Sequence, residues 1–242
     1  DDMTDTPLMY EQLAGWFHLL TAPEDYADEA AEVLRLLRAH ADGPVATALE
    51  LGSGGGNLAS HLRDELRLTL TDPAPGMLEL SRGLNPGVEH LAGDMRDLRL
   101  ERTFDAVIVH DAITYMLDPS ELRAAFETAW VHLRPGGAAI FTPDWVLDTY
   151  VPATEHGGHD DGSRGLRYLE WDRPVEPDGH TVLTDYAIVT RDGDDVEVFH
   201  DVHRLGIFDR ATWRGVLAAV GFEVTRVDGE QGIDLFVGVR PG

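Results

Sequence analysis

Glycines follow directly after a short apolar run near residue 50. The run 45–51 (VATALEL) predicts a buried strand, and helical spacing resumes after the glycines at Leu58. A glycine loop between a strand and a helix places backbone N–H groups against a ligand, with no side chains in the way. The loop therefore predicts a binding site, and two ligand chemistries compete for it.

The spacing of the glycines separates these two chemistries. A dinucleotide-binding loop has the pattern G-x-G-x-x-G, whose third glycine lets the helix pack on the strand. Counted from Gly52 and Gly54, the third position is Asn57, which disfavours a dinucleotide-dependent oxidoreductase. Residues 50–56 instead read ELGSGGG, and this E-x-G-x-G-x-G arrangement resembles motif I of the class I S-adenosylmethionine-dependent methyltransferases.

Further polar residues lie at the predicted ends of the next strands. Asp72 ends the run LTLTD, where its carboxylate can accept hydrogen bonds from both hydroxyls of a ribose. The resemblance implies that Asp94 faces the adenine amino group and that His110, at the end of the fourth strand, lies near the sulfonium. The residues predicted to bind S-adenosylmethionine are Tyr10, Glu50, Gly52, Ser53, Gly54, Asn57, Asp72, Pro73, Met77, Asp94, Met95 and His110.

A narrower resemblance lies outside the glycine core. Segments 203–210 (HRLGIFDR) and 235–240 (LFVGVR), with Tyr10 and Tyr26, are similar to the sugar-amine N-methyltransferases of macrolide biosynthesis. This resemblance implies a nucleotide-linked amino sugar as acceptor, and a homodimer. Segment 110–115 (HDAITY) departs from it, because those proteins carry a small, serine-containing segment there. We therefore expect an amine or hydroxyl of a small metabolite as acceptor, with an amino sugar or similar natural-product intermediate as the leading candidate.

Two side chains at the end of the fourth strand are candidate catalytic residues. Methyl transfer requires the enzyme to position the acceptor and exclude water, and an amine or alcohol must lose a proton. His110 and Tyr115 lie at or just after the carboxyl end of a strand, where ligands bind in such sheets. Either can orient the nucleophile or take its proton. The alternative for His110 is a buried histidine with a backbone partner.

Aromatic and histidine side chains elsewhere are candidates for the acceptor pocket. The predicted substrate-binding residues are Trp16, Phe17, Tyr115, Tyr168, Trp171 and His203. Trp16 and Phe17 belong to an aromatic segment that is either a packed helix or a flap over the site, and Trp171 also suits a core position. Because side chains alternate along a strand, His200 and His203 are expected on opposite faces.

The loop 155–161 (EHGGHDD) contains two histidines and three carboxylates, which are ligands that a divalent cation accepts. Its glycines and its weak spacing are more typical of a solvated or lid segment. We therefore predict no metal site.

The elements that position these residues alternate regularly up to Pro143. Alternating strands and helices predict a parallel sheet that is covered on both faces. Segment 144–165 has no clear periodicity. It is followed by three strand-like runs separated by turn signals, which predict an antiparallel meander at 166–173, 181–191 and 196–205. A closing helix and two strands are predicted at 210–220, 222–227 and 233–239, and the resemblance implies that the last strand is antiparallel to its neighbours.

The predicted fold class is therefore α/β, with a Rossmann-like seven-stranded methyltransferase sheet flanked by helices. An antiparallel β cap is inserted between strands five and six. We expect one methyltransferase domain over 1–242, with an N-terminal flap segment at 1–23 and a substrate-cap insertion at 145–205.

The composition restricts the function further. The 242 residues include 44 acidic and 19 basic ones, so the net charge is −25 and neither nucleic acid nor a membrane is an expected partner. The absence of cysteine excludes thiolate catalysis, and the absence of lysine excludes a pyridoxal Schiff base. The N-terminus lacks a signal-peptide pattern, and we expect a cytoplasmic protein. A non-catalytic S-adenosylmethionine-binding protein remains an alternative, which fold alone does not exclude.

Overall fold

The computed structural model describes residues 6–229 and 232–242. The α-helices in this part of the chain are α1 (Phe17–Leu20), α2 (Ala27–His40), α3 (Asn57–Leu62), α4 (Pro75–Leu84), α5 (Pro119–His132) and α6 (Arg210–Val220). The strands are β1 (Thr47–Leu51), β2 (Arg67–Asp72), β3 (Glu89–Ala92), β4 (Phe104–His110), β5 (Leu133–Thr142), β6 (Thr154–Gly157), β7 (Asp160–Asp161), β8 (Arg164–Asp172), β9 (Thr181–Asp192), β10 (Asp195–Gly206), β11 (Glu223–Asp228) and β12 (Asp234–Val239).

Seven of these strands form the main sheet, in the order β11-β12-β5-β4-β1-β2-β3. Strands β1 to β5 pair in parallel, whereas β12 runs antiparallel to both β5 and β11. A second, antiparallel sheet has the order β10-β9-β8-β6, with β7 paired to β8, and lies between β5 and β11 in sequence. We call this second sheet the cap sheet. The predicted α/β class, the antiparallel last strand and the cap between strands five and six are confirmed.

Helices cover both faces of the main sheet. On one face α5 and α6 bury an aromatic cluster, in which Phe126 meets Phe141 at a centroid distance of 4.6 Å and Trp213 stacks on Phe236 at 4.8 Å. On the other face α2 and α3 bury aliphatic side chains, including Leu37. Each fully buried side chain of this size contributes about 1.5–3 kcal/mol. The two cores hold the carboxyl ends of the parallel strands at one edge.

The observed elements differ from the predicted ones in three places. Strand β5 begins at Leu133 rather than after Gly137, because its first residue pairs with Phe104 across a register shift in β4. Segment 144–165, which has no sequence periodicity, contains β6 and β7, and both are defined by pairing with β8. A 3₁₀ helix at Pro23–Tyr26 precedes α2. Pairing with distant strands is not visible in a local pattern.

The flap segment 1–23 is described from residue 6 onward, so its first five residues lie outside the described part. From Leu8 to Leu20 it forms two 3₁₀ helices and α1. Among the described residues, no helix combines the length and the apolar character needed to span a membrane.

Candidate active site

The glycine loop joins β1 to α3 along the carboxyl edge of the main sheet. Gly52 has a φ of +73°, in the left-handed region that favours glycine. A Cβ atom at this position would stand 2.4 Å from the Cβ of Ala112, just after β4. Glycine is therefore required here for the loop to approach the segment that follows the fourth strand.

Asp72 ends β2 and faces the same loop. Its Oδ2 accepts a hydrogen bond from the Gly54 N–H at 2.9 Å, and its Oδ1 accepts one from the Ala74 N–H, across Pro73, at 2.8 Å. Burial raises the pKa of Asp72, and these two N–H groups oppose the rise. Each carboxylate oxygen accepts more than one hydrogen bond, so Asp72 keeps acceptor capacity for ribose hydroxyls.

Buried polar atoms without partners mark the floor of the loop. Glu50 is 2 % exposed, and its Oε2 has no hydrogen-bond partner among the described residues; the same holds for Ser53 Oγ and Asn57 Oδ1. Burial raises the pKa of Glu50 to about 8, although His110 acts to lower it. A buried polar group left unpaired costs about 1–3 kcal/mol. A polar ligand seated on the loop would satisfy these atoms.

Asp94, which is predicted to lie on the adenine side, already has a partner within the protein. Asp94 follows β3 and accepts hydrogen bonds from the Arg96 backbone N–H at 2.8 Å and from its guanidinium at 2.6 Å. Burial acts to raise the pKa of Asp94, but the contacts with Arg96 hold it below the usual value. Met95 is buried beside Gly52. An adenine contact of Asp94 stays a prediction, and it has Arg96 as a competing partner.

The flap segment covers the glycine loop. A Cβ at Gly55 would stand 2.7 Å from the Phe17 ring, and His18 Nε2 donates a hydrogen bond to the Gly55 carbonyl at 3.1 Å. Met77, on α4, packs against Ala14 of the flap. Phe17 therefore lies on the cofactor side of the flap. Trp16 lies farther out, with the Arg164 guanidinium 4.0 Å from its ring centroid.

His110 at the end of β4 is held between two carboxylates. Its Nε2 lies 2.9 Å from Glu29 Oε2, and its Nδ1 lies 3.2 Å from Asp111 Oδ2. Burial alone would lower the pKa of His110, but Asp111 and Glu29 outweigh burial and hold the pKa well above its usual value. The ring is therefore an imidazolium that donates through both nitrogens.

Asp111 and Asp144 form a carboxyl pair beside His110. Asp111 has a φ of +48°, a backbone geometry that costs about 1–3 kcal/mol and is held by a 2.9 Å hydrogen bond from its N–H to the Thr142 carbonyl. Burial and the charge of Asp111 raise the pKa of Asp144 well above its usual value. Burial next to Asp111 therefore favours the protonated form of Asp144.

A continuous chain of hydrogen bonds crosses from the flap to the cap sheet. The Tyr10 and Tyr115 hydroxyl oxygens are 2.7 Å apart, and Tyr115 Oη lies 2.8 Å from His203 Nδ1. His203 Nε2 lies 3.2 Å from Asp201 Oδ2, which also accepts a hydrogen bond from the Met9 N–H at 3.0 Å. Three predicted site residues from distant parts of the sequence are thus brought together.

The cap sheet places its candidate residues on two faces. On its inner face, which includes His203, the Tyr168 ring packs 6.1 Å from the Tyr186 ring. Trp171 is 62 % exposed on the opposite, outer face, so its assignment to the acceptor pocket is wrong. The reason is the strand period, because positions 168 and 171 point in opposite directions. As predicted, His200 also lies on the outer face, away from His203, and bonds to Asp185.

The histidine loop at 155–161 is part of the cap sheet. Asp160 pairs with Arg167, and His159 Nε2 lies 3.5 Å from Asp25 Oδ2. Throughout the described residues, no group of three or more histidines or carboxylates is arranged to hold a metal ion.

Comparison with known proteins identifies this site. The family described as "Methyltransferase domain" matches residues 48–137, which span the glycine loop, Asp72 and His110. The chain is 31% identical over 202 residues to the cypemycin N-terminal methyltransferase of a Streptomyces species, covering 76% of this chain and 75% of that protein. The chain belongs to the class I S-adenosylmethionine-dependent methyltransferases.

Two further similarities indicate a narrower group of methyltransferases that this chain resembles. It is 29% identical over 221 residues to the dTDP-3-amino-3,4,6-trideoxy-alpha-D-glucopyranose N,N-dimethyltransferase of Streptomyces venezuelae, covering 89% of this chain and 92% of that one. The crystal structure of Streptomyces venezuelae DesVI superposes with a TM-score of 0.83 at 27% identity, covering 96% of this chain and 98% of that chain. The methyltransferase thus resembles the sugar-amine N-methyltransferases of natural-product biosynthesis.

The methyltransferase's own residues fit S-adenosylmethionine. The close approach at Gly52 leaves no room for a side chain, Asp72 keeps acceptor capacity, and Glu50 and Ser53 supply buried polar atoms that need partners. When bound, S-adenosylmethionine supplies a methyl group activated by a sulfonium. The family assignment replaces the dinucleotide-dependent alternative.

Several groups of the methyltransferase site are absent from the sequence-based prediction: Tyr26, Glu29, Asp111, Asp144, Glu170, Tyr186 and Asp201. Asp144 carried a usable signal, because it comes two residues after the end of a parallel strand. Asp201 carried another, since it shares a strand face with His203. Glu29 lies on a helix far from any strand end, and nothing local marks it.

Proposed function

We propose that this methyltransferase transfers the methyl group to the nitrogen of a small amine, with an amino sugar or related natural-product intermediate as acceptor. Two relatives support nitrogen as the acceptor atom, since one is named as the N,N-dimethyltransferase of an amino sugar and the other as an N-terminal methyltransferase. Segment 110–115 departs from the sugar-amine N-methyltransferases, so the acceptor can differ from theirs outside the reacting nitrogen.

The observation that carries the proposal is a cluster of carboxyl groups on the acceptor side. Asp111 and Glu170 both lie close enough to Asp144 to raise its pKa. No arginine in the described residues forms an ion pair with these three, and the sequence contains no lysine. Burial raises the pKa of Asp144 and of Glu170 and so favours their protonated forms, whereas a nearby cation favours their ionised forms. An amine is a cation before it reacts, so an ammonium acceptor and these carboxyls stabilise each other's charge.

The candidate residues take distinct roles in this proposal. Glu50, Gly52, Ser53, Gly54, Asn57 and Asp72 hold the cofactor, with Pro73, Met77, Asp94 and Met95 around the adenosine, and Tyr168 and His203 line the acceptor pocket. His110 acts as a fixed positive charge that keeps Asp111 in place. It is not a base, since its ring is already protonated. Tyr115 faces the acceptor.

Radiolabelled methyl transfer tests the proposed function. The acceptors are a methyl glycoside of an amino sugar, a nucleoside-diphosphate-linked amino sugar, a short peptide with a free N-terminus, and a matched sugar that carries only hydroxyls. We expect label on an amine and none on the hydroxyl-only sugar. Labelling confined to the hydroxyl-only sugar, or to bulk protein or nucleic acid, would refute a small-amine acceptor.

We also propose a homodimer formed through the outer face of the cap sheet. That face exposes large apolar side chains on three adjacent strands: Leu169 (42 %), Trp171 (62 %), Val189 (37 %), Val196 (58 %) and Val198 (71 %). An apolar patch of this kind is typical of an interaction surface. Sedimentation velocity of wild type and Val198→Glu tests it, and a monomeric wild type would exclude it. A cytoplasmic location stays a proposal, and cell fractionation tests it.

A further inference from the structure

We propose that Tyr10, Tyr115 and His203 form a directed proton relay that removes the proton from the acceptor nitrogen, with Asp201 as the positioning residue that sets its direction. The relay rests on the proposed amine acceptor. It assigns Tyr10 a catalytic role in addition to its predicted contact with the cofactor, and gives Asp201 a role that no sequence motif indicates.

The direction of the relay is set at its buried end. Asp201 and His203 are each 5 % exposed, and Asp201 Oδ2 accepts hydrogen bonds from the Met9 N–H and from His203 Nε2. Burial acts to raise the pKa of Asp201, but His203 and the Met9 N–H hold it below the usual value, so the group is an ionised carboxylate. A carboxylate has no proton to donate. His203 therefore donates from Nε2 to Asp201. In the neutral ring that the relay requires, Nδ1 is then the acceptor.

The remaining protons follow from this tautomer. Tyr115 lies 2.8 Å from His203 Nδ1 and must donate its only hydroxyl proton to that nitrogen. In its 2.7 Å contact with Tyr10, the Tyr115 oxygen must then accept, so Tyr10 is the donor. The Tyr10 oxygen is left with lone-pair capacity at the head of the chain. Every hydrogen bond thus points from Tyr10 towards Asp201.

The open end of the relay lies where an acceptor would be seated. Tyr10 and Tyr115 are both partly exposed, unlike His203 and Asp201. The Tyr10 ring lies 6.2 Å from the Phe17 ring over the glycine loop and 5.6 Å from the His203 ring of the cap sheet. Tyr10 therefore bridges the cofactor side and the acceptor side.

The step balances as a proton shift with no change in total charge. The N–H bond of the acceptor ammonium breaks and an O–H bond forms at Tyr10, while the Tyr10 proton moves to Tyr115 and the Tyr115 proton moves to His203 Nδ1. The acceptor becomes a neutral amine with a free lone pair, and His203 becomes an imidazolium paired with Asp201. Burial raises the pKa of both Tyr10 and Tyr115, so neither is a tyrosinate at rest. After the product leaves, the proton returns from His203 through Tyr115 to the partly exposed Tyr10 and passes from there to water before the next turnover.

The tautomer of His203 is tested on the protein alone. Nitrogen-15 NMR of the ring should show the proton on Nε2 in the wild type, and a mixture of tautomers in Asp201→Asn, because an amide can either accept or donate at this position. Asp185→Asn is the matched control, since Asp185 makes a 2.8 Å contact with His200 on the outer face of the same sheet. A wild-type ring protonated on Nδ1, or an Asp201→Asn ring identical to wild type, overturns the relay.

The activity arm uses Tyr10→Phe, which removes the first oxygen and leaves the ring. We expect kcat for the amine acceptor, measured at saturating S-adenosylmethionine, to fall about 100-fold, the lower range for loss of a positioned base. Tyr150→Phe is the control, because it loses a hydroxyl that donates to the Arg173 carbonyl and takes no part in the relay. Unchanged kcat in Tyr10→Phe overturns the relay alone. A wild type that methylates no amine overturns the proposed function as well.

Discussion

Gly52→Ala adds one methyl group where the glycine loop passes closest to the segment after β4. The residue has a φ of +73°, and an alanine in the left-handed region costs about 1–2 kcal/mol. The new Cβ would also stand 2.4 Å from the Ala112 Cβ, an atom with no rotamer to move away, and overpacking of this kind costs about 1–3 kcal/mol. We therefore expect the free energy of unfolding to fall by about 2–5 kcal/mol.

Gly43→Ala separates these two effects. Gly43 has a φ of +85°, but a Cβ there meets nothing within 4 Å, so only the backbone cost of about 1–2 kcal/mol applies. Urea unfolding gives the stability of both variants, and calorimetric titration gives their affinity for S-adenosylmethionine. We expect only Gly52→Ala to bind more weakly than wild type, by tenfold or more. Equal stability losses for the two variants would show that the loop does not approach Ala112.

Three further changes test the charged groups. Asp72→Ala should weaken S-adenosylmethionine binding by about 1–3 kcal/mol, because the ribose hydroxyls lose their acceptor, and an unchanged calorimetric dissociation constant in a folded variant would remove Asp72 from the site. The pKa of Glu50 is raised by burial from 4.5 to about 8, so its stabilisation is full below pH 4.5 and is lost as the pH rises through 8. Urea unfolding of Glu50→Gln should show a smaller loss of stability than wild type as the pH rises from 4.5 to about 8. The same pH dependence as wild type would contradict the raised pKa of Glu50. Burial acts to raise the pKa of Asp105, but Arg134 and the Thr47 contacts lower it to about 2, so its stabilisation is full above pH 3.8 and is lost as the pH falls through 2. Asp105→Asn should unfold with less pH dependence below pH 4, and equal acid dependence would refute this.

The part of the site that could be predicted from sequence is the part made by parallel strands. Glu50, Asp72 and His110 each lie near the end of a parallel strand, and such ends meet at one edge of the sheet. We could predict that these groups lie together from the strand pattern, the glycine spacing and the position of each polar residue. The cofactor side of the site follows from that geometry.

The acceptor side could not be predicted in the same way, because its groups come from elements that meet only in the folded chain. Glu29 reaches His110 from a helix, and Met9 reaches Asp201 from the flap, over 192 positions in sequence. The error at Trp171 had a different cause. Its strand was predicted correctly, and the two-residue period already placed it on the face opposite to Tyr168.

The two faces of the cap sheet can change independently of one another during evolution. Alternate residues of β8, β9 and β10 face the pocket, and the residues between them form the exposed apolar surface. Point substitutions on one face can therefore alter acceptor preference without touching the other. An insertion of one residue within β10 would exchange the two sets, moving His203 outward and an apolar side chain into the pocket. Related chains are thus expected to diverge here by substitution inside the strands and to change length only at the turns.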